Sequence, residues 1–518
     1  MQHQPQPDCR SLYDDYFVRQ LVPDDHPLLE IDRAVDFCFV REVVSDLYSP
    51  ERGRRAVDPA LLLRLCFLQA YYDLSDREVI ERARSDVACR CFLHLGLEDA
   101  LPDASTLSVF RSRLGAERFK QIFNYSVGMA VERGLVQGRL VLVDSYGVVA
   151  DMAIPRMRRL LMRVVDRGLR LLEMLGVEAS ELEAERGALS KDNSWGMSKQ
   201  LREQDLARWF VLCGQVRAAL AGAQVSYEQD KQRAQMVKLL DGALARGEPQ
   251  QKGARGDRLA GDVDADARWS VRERGKKAFV GYKEQIVIDA DSEIITGAGL
   301  TPANEDDSTA LLDLLDEHKR NVGGDPEGLA GDSGYASGSN RAELQEREID
   351  DFLAPPTPKG HKRGMFSATD FAPEFDHEGT PLRVRCPAGQ VAAGGSWQED
   401  KCGWNFYFSK AQCAGCPLRM RCSKSKRGRT LFISPHWQLT KRALERVETP
   451  QFVAAQVARL GIERQFAHQQ RRCGLKRTRY RGLDRVAAQV FVTCFTLNVL
   501  KLTKAARSGV GVKRKRAS

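Results

Sequence analysis

The order of elements along the 518 residues predicts an α/β fold with a mixed sheet, and three observations carry that expectation. A helical stretch gives way at 138–151 to "GRLVLVDSYGVVAD", whose density of Val, Leu and Tyr reads as a buried strand. Two strands, "KAFVGYKEQIVID" and "EIITGAGL", then flank a short turn at Asp291-Ser292, a hairpin signal. Finally, strand and helix alternate from "GLAGDSGYASGSNRAELQERE" to "DFLAP".

Each element has a local cause. Residues 1–137 read as helical. Asp58 and Pro59 supply an N-cap and a first helical position; Ser75 and Glu78 form a capping box for a helix expected to run to Gly96. Another helix opens near Ser105 and closes at Gly115. Short helices joined by tight turns, with arginines on the last, fit a helix-turn-helix that contacts DNA or a plain helical bundle. Residues 155–250 are helical and charge-rich, and 250–275 are polar and read as a linker or loop. A helix starts near Asp307 or Ser308, a Cys-rich insert spans 376–435, and helices fill 440–505.

Composition narrows the class. No apolar stretch reaches about 18 residues, so no membrane span or membrane partner is expected. The N-terminus lacks the apolar core of a signal peptide, which points to the cytoplasm. Of 13 cysteines, those such as Cys66 and Cys494 sit in apolar runs and read as small buried hydrophobes. Net charge is +9, and its placement matters: residues 463–518 hold 15 Lys and Arg against the two acids Glu463 and Asp484. That imbalance favours a surface for nucleic-acid phosphate, in a nucleoid-associated protein.

Asp144 is costly at the end of an apolar strand unless it caps a turn, meets a basic side chain or holds a cation. Asp332 in "LAGDSGY" repeats its layout. Strand ends are where ligands bind in open α/β sheets. Glu463 stands beside the stripe made by Ile462 and Phe466, and almost everything after it is basic. One acid in a field of arginines makes sense if it holds a cation next to phosphate.

These pieces, in this order, resemble the bacterial insertion-sequence transposases of the DDE type. The matching stretches are "VPDDHPLLEID", "GRRAVDPALLLRLCFLQAYYDLSDREV", "PDASTLSVFRSRLG", "VDSYGVVADMAIP", "GYKEQIVID" through "TPANEDDS", "GDSGY", "IERQFAHQQRRCGLKRTRYRGL" and "TLNVLKL". The resemblance implies an RNase H-like mixed sheet flanked by helices, begun at 138–154 and continued at 276–375 and 436–505. Around it lie an all-α N-terminal domain (1–137) for DNA binding or assembly, a helical insertion and linker (155–275), the Cys-rich insert and a basic tail (506–518). It implies Asp144, Asp332 and Glu463 as the catalytic triad, holding two Mg²⁺ or Mn²⁺ ions, since hard oxygen ligands suit those cations. It implies cleavage at the element's ends and joining of 3′-hydroxyls to target DNA. The partners are then double-stranded terminal repeats and target DNA, with a homodimer in the synaptic complex. Arg459, Arg471, Arg472, Lys476, Arg477, Arg479 and Arg481 are the expected DNA contacts. The chain departs from the family signature at Gln456 (usually Tyr), Gln470 (usually Lys) and Ser145-Tyr146 after the first acid. A metal-dependent nuclease, or a decayed copy that binds element ends as a repressor, are the competing readings.

In the insert, Cys386, Cys413, Cys416 and Cys422 are candidate ligands of a structural zinc, with Cys402 spare; reduced thiols are the alternative. Trp195, Trp269 and Trp404 are weaker candidates for stacking a flipped base.

Overall fold

The computed structural model describes residues 16, 20–48, 56–189, 198–246, 258–271, 278–357 and 364–508. Trp195 and the end of the basic tail, 509–518, lie outside them, as does much of the 250–275 stretch.

The N-terminal helices are α1 (Pro27–Ala34), α2 (Val40–Val43), α3 (Pro59–Tyr71), α4 (Asp76–Ser85), α5 (Val87–Phe92) and α6 (Ala104–Glu132). The caps read from sequence hold: Asp58 accepts from the Ala60 N–H, and Ser75 and Glu78 form a reciprocal capping box. The helix expected to run to Gly96 instead breaks at Asp86. That residue ends α4 and caps α5, accepting from the Cys89 N–H. Gly115 does not end its helix but kinks it: its φ of +63° is left-handed, and helix resumes on both sides. The Asp484 carboxylate accepts the Ala116 N–H freed by that kink.

The central sheet is built from β1 (Leu140–Val149), β2 (Arg268–Ser270), β3 (Phe279–Asp289), β4 (Ile295–Pro302), β5 (Gly328–Gly331) and β6 (Asp350–Leu353). The strand order is β2-β3-β1-β5-β6, with β4 also on β3. Strand β3 runs antiparallel to β1, β2 and β4, whereas β1, β5 and β6 are parallel. The expected hairpin is therefore β3–β4, and the expected alternation is β5, α12 (Gly338–Glu346) and β6. Helix α11 (Leu311–Val322) joins β4 to β5. Within the 250–275 stretch, 258–271 does more than link: it adds edge strand β2 and buries Leu259, Ala260, Asp264 and Ala267.

Side chains alternate across this sheet. Leu142, Val148, Ile286, Ile288 and Ala298 pack into the main core, which also holds Phe37, Phe67, Phe92, Phe123 and Phe495. Val141, Val143, Val287 and Leu329 pack on the other face against Leu311, Leu314 and Leu344 of α11 and α12. The N-terminal helices thus share one core with the sheet and the C-terminal helices. Between β1 and β2, α7 (Met157–Met174), α8 (Ser180–Ala188), α9 (Lys199–Gly222) and α10 (Tyr227–Ala245) enclose their own core around Trp209.

Residues 372–433 carry two small antiparallel sheets. They are β7 (Ala372–Phe375), β8 (Pro381–Arg385) and β9 (Val391–Ala393), then β10 (Ser396–Gln398), β11 (Gly403–Phe408) and β12 (Arg429–Ile433). Short helices α13 (Lys410–Ala414) and α14 (Arg419–Cys422) precede β12. The core of this unit reaches past the 376–435 bounds to take in Phe371 and Trp437. The chain ends in α15 (Trp437–Arg446), α16 (Pro450–Ala458), α17 (Leu460–Arg472) and α18 (Leu483–Arg507). The expectation that no apolar stretch reaches the length of a span needs correcting at α18. By length and composition it is long and apolar enough to cross a membrane, yet 83% of its most apolar stretch is buried inside the protein. It is the core helix against which α6, α3, α1 and β4 pack.

Candidate active site

Asp144 and Asp332 meet because β1 and β5 are parallel neighbours in register. Leu142 pairs with Ala330, and two residues further along each strand comes the acid. The Asp144 side chain is 16% exposed. Its Oδ1 accepts from the Ser145 N–H at 2.8 Å, and its Oδ2 lies 3.8 Å from Arg459 Nη2. Burial pushes its carboxyl up to about 6. The Ser145 N–H and Arg459 pull it down, while the negative charges of Asp332 and Asp307 push it further up. Asp332 turns through "DSG", its Oδ1 accepting from the Gly334 N–H at 2.8 Å.

Arg459 is held from the far side. Its Nη1 lies 3.4 Å from Gln456 Oε1, and Gln456 Nε2 donates to the carbonyls of Gly331 (3.3 Å) and Phe352 (2.5 Å). Gln456, which departs from the family signature, thus clamps α16 across the ends of β5 and β6, beside Asp332. The expected helix around Glu463 is α17, and its buried stripe is as read: Ile462 and Phe466 are buried, with Gly461, Gln465 and Gln469. Gln465 donates to Glu293 Oε2 at 3.0 Å, Arg464 Nε to Glu293 Oε1 at 3.0 Å, and Gln469 to Glu284 Oε1 at 2.6 Å. Glu463 is exposed. It stands one helical turn after Arg459, on the same side of the helix. Among the described residues, no three His, Cys, Asp or Glu side chains form a group tight enough to hold a metal ion. Two of the three candidate acids are brought together, and the third is approached by its helix.

Two residues that sequence reasoning did not single out sit here as well. Asp307 lies at the start of the turn between β4 and α11; its Oδ1 accepts from Lys283 Nζ at 3.0 Å. Lys283 also donates to the Glu305 carbonyl at 2.6 Å. The signal was present in "TPANEDDS", where one of two adjacent acids caps the turn (Asp306) and leaves the other for something else. A Cβ on Gly334 would stand 3.0 Å from Asp332 Oδ1 and 3.2 Å from Asp307 Oδ2, so glycine keeps a cradle open between two carboxylates. Oxygen-only donors around such a cradle fit a hard divalent cation and not zinc.

The expected DNA contacts fall on one stretch. Lys476, Arg477, Arg479 and Arg481 lie in the segment after α17, which pairs with the end of β1 through Val149 N–H to the Lys476 carbonyl and Thr478 N–H to the Val149 carbonyl. Arg471, Arg472, Lys476, Arg477 and Arg481 are exposed. Arg477 pairs with Asp151 at 3.3 Å, Arg479 with Asp73, and Arg472 covers the Tyr71 ring at 4.8 Å.

In the insert, Cys386 heads a tight turn: its N–H donates to the Gln390 carbonyl, and Gly389, at φ +79°, donates to the Cys386 carbonyl. Cys413 and Cys416 close a second turn. Burial raises the pKa of Cys422, and the thiols of Cys413, Cys386 and Cys416 add to it. Cys386, Cys413 and Cys422 pack against the same small core, while Cys402 is exposed. None of the described cysteines is in a disulfide. Trp404 packs edge-on against Trp397 at 4.7 Å, and Trp269 is half-buried on β2.

The class now follows from comparison as well as from chemistry. A transposase domain (DUF772) matches residues 16–113, and a transposase DDE domain matches residues 385–503, the region holding Glu463 and the arginines. No solved structure matches the chain. The protein is a transposase, an enzyme of the kind that cleaves and transfers DNA. It belongs to the insertion-sequence DDE transposases, which as a family act on DNA and use divalent metal ions.

Proposed function

We propose that the chain cuts donor DNA at the ends of its element and joins the freed 3′-hydroxyls to target DNA, using Asp144, Asp332 and Glu463 on an RNase H-like core. The observation that carries this reading is the meeting of Asp144 and Asp332 on adjacent parallel strands, with Arg459 against Asp144. The strand arrangement supports the core: antiparallel β4, β3 and β1, followed by β5 and β6 parallel to β1.

The acids would hold divalent Mg²⁺ or Mn²⁺, which activates the attacking water or 3′-hydroxyl and stabilises the leaving oxygen. The chain's own groups do the rest. Asp144 must be ionised to bind a cation, and Arg459 favours that form at 3.8 Å. Gln456 fixes Arg459 and the end of β5 together. The exposed arginines and Lys476 beside the end of β1 would grip phosphates and bring the scissile bond to the strand ends. Glu463 then completes the site from α17. Synapsis of two element ends implies two copies of the chain acting together, on DNA in the cytoplasm.

The Cys413-x₂-Cys416 spacing, with Cys386, Cys413 and Cys422 packed on one small core, supports a structural zinc held by Cys386, Cys413, Cys416 and Cys422 in the insert. One observation favours a second reading. Glu463 is exposed and Gln470 stands where the family carries Lys, as in a copy that only binds element ends. A strand-transfer assay on paired element ends with Mg²⁺ separates the two. Joined products support the enzyme; tight end binding without nicking supports the repressor.

A further inference from the structure

The carboxylates at the strand ends outnumber those that the proposed triad uses. Asp307 comes from a different element, the turn after β4, yet its Oδ2 and Asp332 Oδ1 flank the same small space. That space exists because residue 334 has no side chain: a single Cβ there would meet both oxygens at 3.0–3.2 Å. Two like charges facing one gap repel unless a cation lies between them. At present Asp307 is paired from one side by the ammonium of Lys283, which its Oδ1 meets at 3.0 Å. Lys283 is itself held by the Glu305 carbonyl, so it sits at the rim and not in the cradle.

We infer that Asp307 is a further ligand of the divalent-cation site: with Asp332 it lines the cradle that Gly334 keeps open, and Lys283 partners Asp307 until the cation takes its place. This rests on the reading of Asp144 and Asp332 as cation ligands. It also gives a reason why the described acids do not stand as a closed ligand group, since one of them is tethered by a lysine.

The experiment is Mn²⁺ binding to the full chain without DNA, followed by the electron paramagnetic resonance of free ion, with melting temperature as the folding control. Asp307→Asn should weaken Mn²⁺ binding about tenfold or more. Gly334→Ala keeps every carboxylate but fills the cradle, and should weaken it comparably. Lys283→Gln removes the competitor and should tighten it. Glu305→Gln, which removes an exposed charge two residues away, should leave it unchanged. Wild-type affinity in folded Asp307→Asn and Gly334→Ala, with binding lost in Asp144→Asn, overturns the inference and leaves the proposed function standing. Wild-type affinity in Asp144→Asn and Asp332→Asn as well overturns both.

Discussion

Asp144 and Asp332 hang from neighbouring strands, whereas Glu463 stands on the open side of α17. The first two are fixed by the backbone: strand pairing sets their spacing, and N–H groups of Ser145 and Gly334 aim their oxygens. The helix that carries the third is fixed at other points of its circumference, by Arg464 and Gln465 on Glu293 and by Gln469 on Glu284. A strand-borne acid is thus preorganised before any cation or DNA arrives. A helix-borne acid is delivered by whatever holds the helix, and it pays no burial penalty while it waits. The difference predicts different stability effects for two substitutions that should be equally damaging to catalysis.

Asp144→Asn and Glu463→Gln should each lower Mg²⁺-dependent nicking by orders of magnitude while binding to element ends survives. They should part in stability. A carboxyl raised to about 6 in the fold, from 3.8 unfolded, costs stability once it is ionised. The cost grows as pH rises from about 4 to about 6 and is full above that. At pH 7 it is about 3 kcal/mol. Asp144→Asn should therefore melt higher than wild type at pH 7 and lose that advantage near pH 4. Glu463→Gln should melt as wild type. A folded Glu463→Gln that nicks at near wild-type rate removes Glu463 from the site.

The insert sharpens the same contrast with a different donor. Its core is small, built around Phe371, Val384, Phe406, Leu431 and Ile433, and small cores need staples. Where the carboxylate site is rigid without its cation, the thiol site should be held together by one. Metal analysis should find about one zinc per chain, absent in Cys413→Ser/Cys416→Ser, and that variant should be cut first by protease within 372–433. Equal zinc in both proteins, or none in either, defeats the expectation.

Much of this was legible in sequence, for reasons that differ by element. Asp58-Pro59 and Ser75…Glu78 were readable because caps are local chemistry. The strand at 140–149 and the β3–β4 hairpin were readable because buried strands are dense in Val and Ile. The break at Asp86 was not, since Asp there serves two helices at once. Nor was the passage of helix through Gly115, which depends on Asp484 accepting a freed N–H from 368 residues away. Asp307 and Lys283 stayed hidden because their meeting depends on strand register. Lys283 lies opposite Thr301 on β4, which brings its ammonium to the turn that follows.

The anchoring of α17 gives a smaller effect. Glu284 is fully buried, its Oε1 accepting from Gln469 Nε2, and burial pushes its carboxyl up to about 8. A folded value above the unfolded 4.5 means stability falls as pH rises from about 4.5 to about 8 and is flat beyond. Glu284→Gln keeps the shape and the bond to Gln469 without that cost. Its advantage over wild type in urea unfolding should widen from pH 5 to pH 8. Parallel curves would mean that Glu284 holds no proton in the fold and that α17 is tied by a charge.

The smallest effect is expected at the basic tail. Removing residues 506–518 takes away Arg507 and the run Lys513–Arg516. Arg507 is already paired with Glu30, so its charge is partly spent within the fold. The four residues of the run lie outside the described part of the chain. Each phosphate they neutralise adds about 0.9 to the slope of log affinity against log salt, so the slope should flatten by at most about 3.6. The loss should be equal on element ends and on unrelated DNA, because phosphate contacts carry no sequence information. The same measurement on Arg471→Ala/Lys476→Ala tests the other side of the comparison. Those residues are fixed by α17 and by the pairing of its following segment with β1. As phosphate contacts they should likewise weaken binding to element ends and to unrelated DNA alike, but by more than the tail does. An unchanged slope on truncation, with the full salt dependence lost in the double variant, would assign the whole phosphate grip to the folded segment.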